Sequence, residues 1–234
     1  MILTKIEAEI SRLASPAKAK ILAGFFKTGV GQYGAGDKFL GIVVPLQRQL
    51  VKKYYREINY PDITTLLHSP WHEKRLIALL MLVAKFKKAD EHEQEKIYQI
   101  YLKNTKYINN WDLVDLSAPK IVGAYLEEKD KAILYKLAKS KNVWERRIAI
   151  LSTFHFIYKG QPEETLKIAF LLKDDKHDLI HKAVGWMLRE VGKRCGQDIE
   201  ENFLKKYYKE MPRTMLRYAI EKFPEKKRKF YLIK

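Results

Sequence analysis

One cysteine in 234 residues, Cys195, rules out an internal disulfide, zinc fingers and iron–sulfur clusters, all of which need several thiolates. That scarcity suits a reducing compartment, and the expected location is the cytoplasm. Long apolar runs are missing as well. The longest, Leu76 to Ala84, is less than half of the ~20 residues that span a bilayer. The N-terminus alternates charged with apolar residues and lacks a signal h-region, so the chain is expected to stay unexported and to have no membrane partner. Sustained period-2 alternation is absent, which removes the sheet-based folds. No linker rich in Gly, Ser or Pro and no low-complexity tract interrupts the chain, so residues 1–234 read as one domain. Acidic residues are the minority charge: 28 Asp and Glu against 45 Lys and Arg leave +17, far more than solubility requires, and point to a polyanionic partner.

What is present is core material, 47% hydrophobic and 12% aromatic, which excludes a disordered basic tail. Apolar residues recur at helical spacing, as in Ile6, Ile10, Leu13 and then Ile21, Leu22, Phe25, Phe26, so the chain reads as all-α. Helix-end signals at Ser15-Pro16, Val44-Pro45, Ser69-Pro70, Asn109-Asn110, Lys141-Asn142, Gly160-Gln161-Pro162, Gly196 and Met211-Pro212 cut it into about a dozen short helices. Five of the eleven glycines fall between Gly29 and Gly41. The formal match Gly29-Val30-Gly31-Gln32-Tyr33-Gly34 is not a dinucleotide fingerprint, because a helix precedes it and the parallel strands it needs are missing. A flexible loop, placed as a lid beside a site, is the better reading.

A basic residue followed by an apolar triplet recurs at Arg75, Arg147, Lys182 and Arg217, with steps of 72, 35 and 35, and the unit missing from the double step falls at Trp111-Asp112-Leu113-Val114-Asp115. A period near 35 with two helices per unit implies a stacked α-solenoid. Equivalent positions in a solenoid project alike, so Arg147, Lys182 and Arg217 are expected to form a basic stripe on a concave surface, able to track phosphates. Taken singly, each reads more simply as a solvated helix edge.

Trp111 and Asp115 lie one turn apart on one helix face, an aromatic wall beside a carboxylate. Asn109 and Asn110 suit an N-cap before them, and Pro119 suits a kink or a tightened turn after them. Lys182, Trp186 and Arg189 share another face, with the indole between two cations. Singly, each indole reads as core and Asp115 as a cap or surface carboxylate. His177 and His181 have i, i+4 spacing but no third ligand, so no metal or other cofactor is expected. Cys195 has no histidine partner to make it a nucleophile. Lys226-Lys227-Arg228-Lys229 is a second basic cluster, either a DNA contact or a solvated helix end.

The segment Asn110 to Pro119, the segment Trp144-Glu145-Arg146-Arg147-Ile148-Ala149-Ile150 and the segment Lys182-Ala183-Val184-Gly185-Trp186-Met187-Leu188-Arg189-Glu190 resemble, in order and spacing, the AlkD family of DNA alkylation-repair glycosylases. The resemblance implies an α-solenoid of HEAT-like repeats, acting as a monomer without metal to excise positively charged N3- and N7-alkylpurines from double-stranded DNA. Matched by position, Trp111 and Trp186 look like the two indoles that contact the lesion nucleotide, Asp115 like the catalytic carboxylate and Arg147 like the phosphate-binding arginine. Arg189 would add a further backbone contact, beside the Lys182 and Arg217 of the stripe read from the repeat. The family's aromatic residue before the first loop corresponds to Phe25 or Phe26. Asp178 and Leu179 stand where one branch has bulky aromatics. Some relatives of this fold bind DNA structures without excising bases, which leaves a non-catalytic DNA-binding protein as the alternative.

Overall fold

The computed structural model describes residues 2–233. Among them every regular element is helical, and the one β feature is an isolated parallel bridge between Lys38 and Trp71. Contacts divide the chain into two compact units, up to Ser117 and from Ala118, at a point that neither composition nor a linker marks.

The first unit holds α1 (Ile2–Leu13), α2 (Pro16–Phe25), α3 (Val44–Tyr54), α4 (Tyr60–Leu67), α5 (His72–Phe86), α6 (Glu91–Lys103) and α7 (Trp111–Ala118), whose last residue lies past the division. Proline opens α2, α3 and α4 within their first two positions, where its missing N–H costs no hydrogen bond. The apolar run that fell short of a membrane span becomes the middle of α5. Leu76 through Leu82 are all buried, with α3, α4 and α6 packed around them, as a helix apolar on all sides requires. Asp90 caps α6 by accepting from the Glu93 N–H at 2.8 Å, and Glu91 and Glu93 in the first turn complement the helix dipole.

The second unit opens with a π-helical turn, Pro119–Gly123. Pro119 has no N–H with which to continue an α-helical ladder, and the turn widens where a kink or tightening was expected. There follow α8 (Ala132–Ala138), α9 (Val143–Ser152), α10 (Phe154–Tyr158), α11 (Glu163–Leu171), α12 (Asp178–Arg194), α13 (Gln197–Tyr207), α14 (Arg213–Ala219) and α15 (Glu225–Leu232). Breaks such as the one at Thr153 between α9 and α10 raise the number of helices above the dozen that punctuation suggested.

The repeat is explicit here. α9, α12 and α14 begin 35 residues apart, with α12 packed against both of the others. The helices that precede them in sequence, α8, α11 and α13, pack against α9, α12 and α12 respectively. Gly185 sets the α12–α14 approach: a Cβ at this position would lie 2.3 Å from the Met215 carbonyl oxygen and 2.6 Å from the Tyr218 Cβ.

Candidate active site

In the first unit the site is built around the start of α7. Asn110 is wholly buried. Its side-chain oxygen accepts from the Trp111 N–H at 2.8 Å, and its amide nitrogen donates to Asp37 at 3.0 Å. Asn110 therefore satisfies one orphan donor of the helix start and ties that start to the glycine-rich loop. Trp111 and Asp115 are both half-buried on α7. Both phenylalanines that the sequence offered lie beside the indole, in different ways. Phe26 stacks on Trp111 (centroids 5.3 Å, planes 23° apart), and Phe25 meets it edge-on at 6.0 Å. Phe25 is 61% exposed whereas Phe26 is buried, so Phe26 supports the wall and Phe25 extends it into solvent.

Beneath this wall lies a polar layer that sequence reasoning missed. Phe26 also stacks on Phe39 at 5.1 Å, and the His72 ring lies 4.8 Å from Phe26 and 4.7 Å from Phe39. His72 Nε2 is 2.8 Å from Asp112 Oδ2, and Nδ1 is 3.2 Å from Asp37 Oδ2. Ionised carboxylates only accept, so an imidazole between two of them donates from both nitrogens and carries a proton on each. Burial opposes that charge, yet hydrogen bonds to Asp112 and Asp37 outweigh it and raise the His72 pKa to about 9. Burial likewise opposes ionisation of Asp37, but His72, Arg75 and Asn110 hold its pKa below the usual value. Arg75 Nη2 reaches Asp37 Oδ1 at 2.6 Å. Asp112 accepts from the Leu113 N–H at 2.9 Å through one oxygen, and its other oxygen is committed to His72.

The loop expected to be a flexible lid is pinned along its second half. Glu73, buried in the first turn of α5, accepts from the backbone N–H groups of Leu40, Gly41 and Ile42 at 2.9, 2.8 and 3.2 Å, and the His72 N–H donates to the Lys38 carbonyl at 2.8 Å. Gly41 has φ +82°, and a Cβ there would lie 2.1 Å from the Ser15 carbonyl oxygen. Only glycine fits. No dinucleotide motif is needed to explain it. In sequence, Asp37, Phe39 and His72 carried no signal beyond their proximity to Gly41 and Pro70, whereas Asn110 was marked as a cap before Trp111.

The remaining candidates belong to the second unit. Arg147, Lys182 and Arg217 each occupy the fifth position of their helices, α9, α12 and α14, so their register is shared. Their exposure is not. Arg147 is buried, with Nη1 donating to the Leu179 carbonyl at 2.6 Å. Lys182 is about a third exposed and pairs with Asp178 at 2.7 Å, and Arg217 faces solvent. The cations flanking Trp186 on α12 are both engaged with carboxylates, Lys182 with Asp178 and Arg189 with Glu221. Trp186 itself is half-buried, meets Phe154 edge-on at 5.5 Å and points Nε1–H at Glu190 Oε1, 3.3 Å away. Glu190 also holds Arg194 at 2.8 Å, and that guanidinium lies 4.0 Å from the centre of the Tyr158 ring.

His177 and His181 serve the fold. His177 Nδ1 accepts from the Leu179 N–H to cap α12, and His181 Nε2 bonds the Asp175 carbonyl. Among the described residues no group of three or more His, Cys, Asp or Glu is arranged to hold a metal. Burial pushes the Cys195 thiol pKa up, which opposes nucleophilic use. No helix of the described residues is long and apolar enough to cross a membrane.

Similar folds occur among solved structures. A predicted DNA alkylation repair enzyme from Enterococcus faecalis superposes with a TM-score of 0.69 at 17% identity, covering 91% of this chain and 97% of that one. AlkD2 from Streptococcus mutans gives 0.56 at 19% identity, over 89% and 98%. Among curated proteins none matches significantly. The family model described as DNA alkylation repair enzyme matches residues 6–223, through both units and from Phe25 to Arg217 among the candidate residues, with the Lys226–Lys229 cluster beyond it, and the chain belongs to that family.

Proposed function

We propose that the protein is a monofunctional DNA glycosylase that removes positively charged N3- and N7-alkylpurines from duplex DNA, with no metal or other cofactor. The observation that carries this reading is the wall of Phe25, Phe26 and Trp111 standing one helical turn from Asp115 in a chain of charge +17. Alkylation at N7 or N3 gives the purine a formal positive charge and makes it a good leaving group, so no strong general acid is required. What remains is the sugar cation. An oxocarbenium-like transition state is stabilised by a nearby carboxylate, which also orients the attacking water. At ~4 Å and an effective dielectric of ~20 a unit charge pair is worth about 4 kcal/mol, nearly three decades in rate.

Indole faces favour the same developing positive charge through their quadrupole, and this is the part assigned to Trp111 and Trp186. Arg147, buried with Nη1 on the Leu179 carbonyl, is assigned a backbone phosphate, which it would meet by turning its guanidinium outward. Arg189, Lys182 and Arg217 add contacts that hold register without reading sequence. The test is to incubate the pure protein with duplex DNA containing N7-methylguanine and to measure free base. Release is the expected result. Tight binding to the duplex with no release would favour a non-catalytic binder of DNA structures.

A further inference from the structure

The geometry points to His72 as a positioning residue that fixes Trp111 and the first turn of α7 for the proposed chemistry. This rests on the proposed function only for its last link, from Trp111 to the reaction.

Two routes run from His72 to α7. The polar one passes through Asp112 at 2.8 Å, the residue that follows Trp111 in sequence. The other passes through rings: His72 lies 4.8 Å from Phe26, and Phe26 stacks on Trp111 at 5.3 Å. The ring itself has little freedom, being 2% exposed, held against Phe26 and Phe39, with its own backbone N–H on the Lys38 carbonyl. The charged groups around it are Asp37 from the loop, Asp112 from α7, and Arg75 and Glu73 from its own helix. Glu73 is turned to the Leu40, Gly41 and Ile42 amides. Arg75 bonds Asp37 and the Ser69 carbonyl. Two carboxylates thus balance two cations while His72 is protonated. On loss of that proton Arg75 and Asn110 remain for Asp37, and the ring keeps one N–H for Asp112 but no longer offsets that carboxylate's charge in a buried place, which weakens the contact that holds the start of α7.

The experiment uses the full chain, with histidine 15N resonances and the 19F resonances of 5-fluorotryptophan followed from pH 6 to pH 10.5. His72 is assigned by its loss in His72→Gln and Trp111 by its loss in Trp111→Phe. His72 is expected to keep both protons past pH 8, and the Trp111 resonance to move with the same midpoint. Asp37→Asn is expected to lower both midpoints together, by about one pH unit or more, since it deletes one of the two charges that favour the imidazolium. In excision of N7-methylguanine, kcat is expected to fall with that midpoint in each protein while KM stays level. A His72 already neutral at pH 7, or a Trp111 resonance that ignores the titration, would overturn the inference. If neither protein releases base at any pH but His72 and Trp111 still titrate together, the positioning stands and the glycosylase reading falls.

Discussion

Asp112 and Asp115 stand three residues apart on α7, and their surroundings give them different work. Asp112 is buried and bonded to His72, whereas Asp115 is half-buried one turn from Trp111. Asp115→Asn keeps size and deletes charge, so excision is expected to fall by about 10²–10³ with duplex affinity little changed, read in single-turnover release and in binding. Asp112→Asn is expected to cost about 3 kcal/mol in denaturant unfolding, because it strips a buried ion pair of one partner. Wild-type excision by Asp115→Asn would mean that its carboxylate is structural. His72 adds a pH dependence of known sign. Its folded pKa of about 9 lies above the ordinary ~6.5, so its contribution, about 3 kcal/mol, is complete below pH 6.5 and lost as pH rises through 9. Thermal unfolding from pH 7 to pH 10 is expected to show the decline, and Asp112→Asn to flatten it.

On the scale of elements, the Gly185 of the Ala183-Val184-Gly185-Trp186 segment has a packing role. Gly185→Ala drives a methyl group into the Met215 carbonyl, and backbone cannot step aside as a side chain tip does. An unfolding cost of about 1–3 kcal/mol is expected, together with a displaced α14 and so a displaced Arg217. The adjacent arginines of α9 divide similarly. Arg146 bonds Asp175 at 2.6 Å and the Ser140 and Lys141 carbonyls at 2.9 and 3.1 Å, which ties the loop before α9 to the loop before α12. Arg146→Ala is therefore expected to lower the Tm, while Arg147→Ala weakens duplex binding and shortens the life of the complex. Equal losses of affinity at both would show that the register carried onto α9 is wrong by one residue, about 100° of helix.

For the molecule as a whole, charge is the property that acts at distance. A chain touching about five phosphates is expected to bind duplex DNA with a log–log salt slope near −4.5 and little sequence preference. A slope near zero would contradict nucleic-acid binding altogether. The same reasoning separates lesions: N7- and N3-alkylpurines should be released and uracil left in place, because a neutral base leaves poorly without a general acid. Periodicity and composition alone determined the all-helical class, the 35-residue spacing of α9, α12 and α14, the basic character, and Trp111 and Asp115 as neighbours on one helix. These are legible because helical spacing and net charge are local or additive quantities. Only the tertiary structure decided that Phe26 supports Trp111 while Phe25 faces solvent, that Arg147 is buried while Arg217 is not, and that His72 bridges Asp37 and Asp112 beneath the wall. Those three residues are 35 and 40 positions apart in sequence. No spacing rule links them, because a buried charge finds its partner through the packing of α5, the loop and α7, and that packing exists only once the chain has folded.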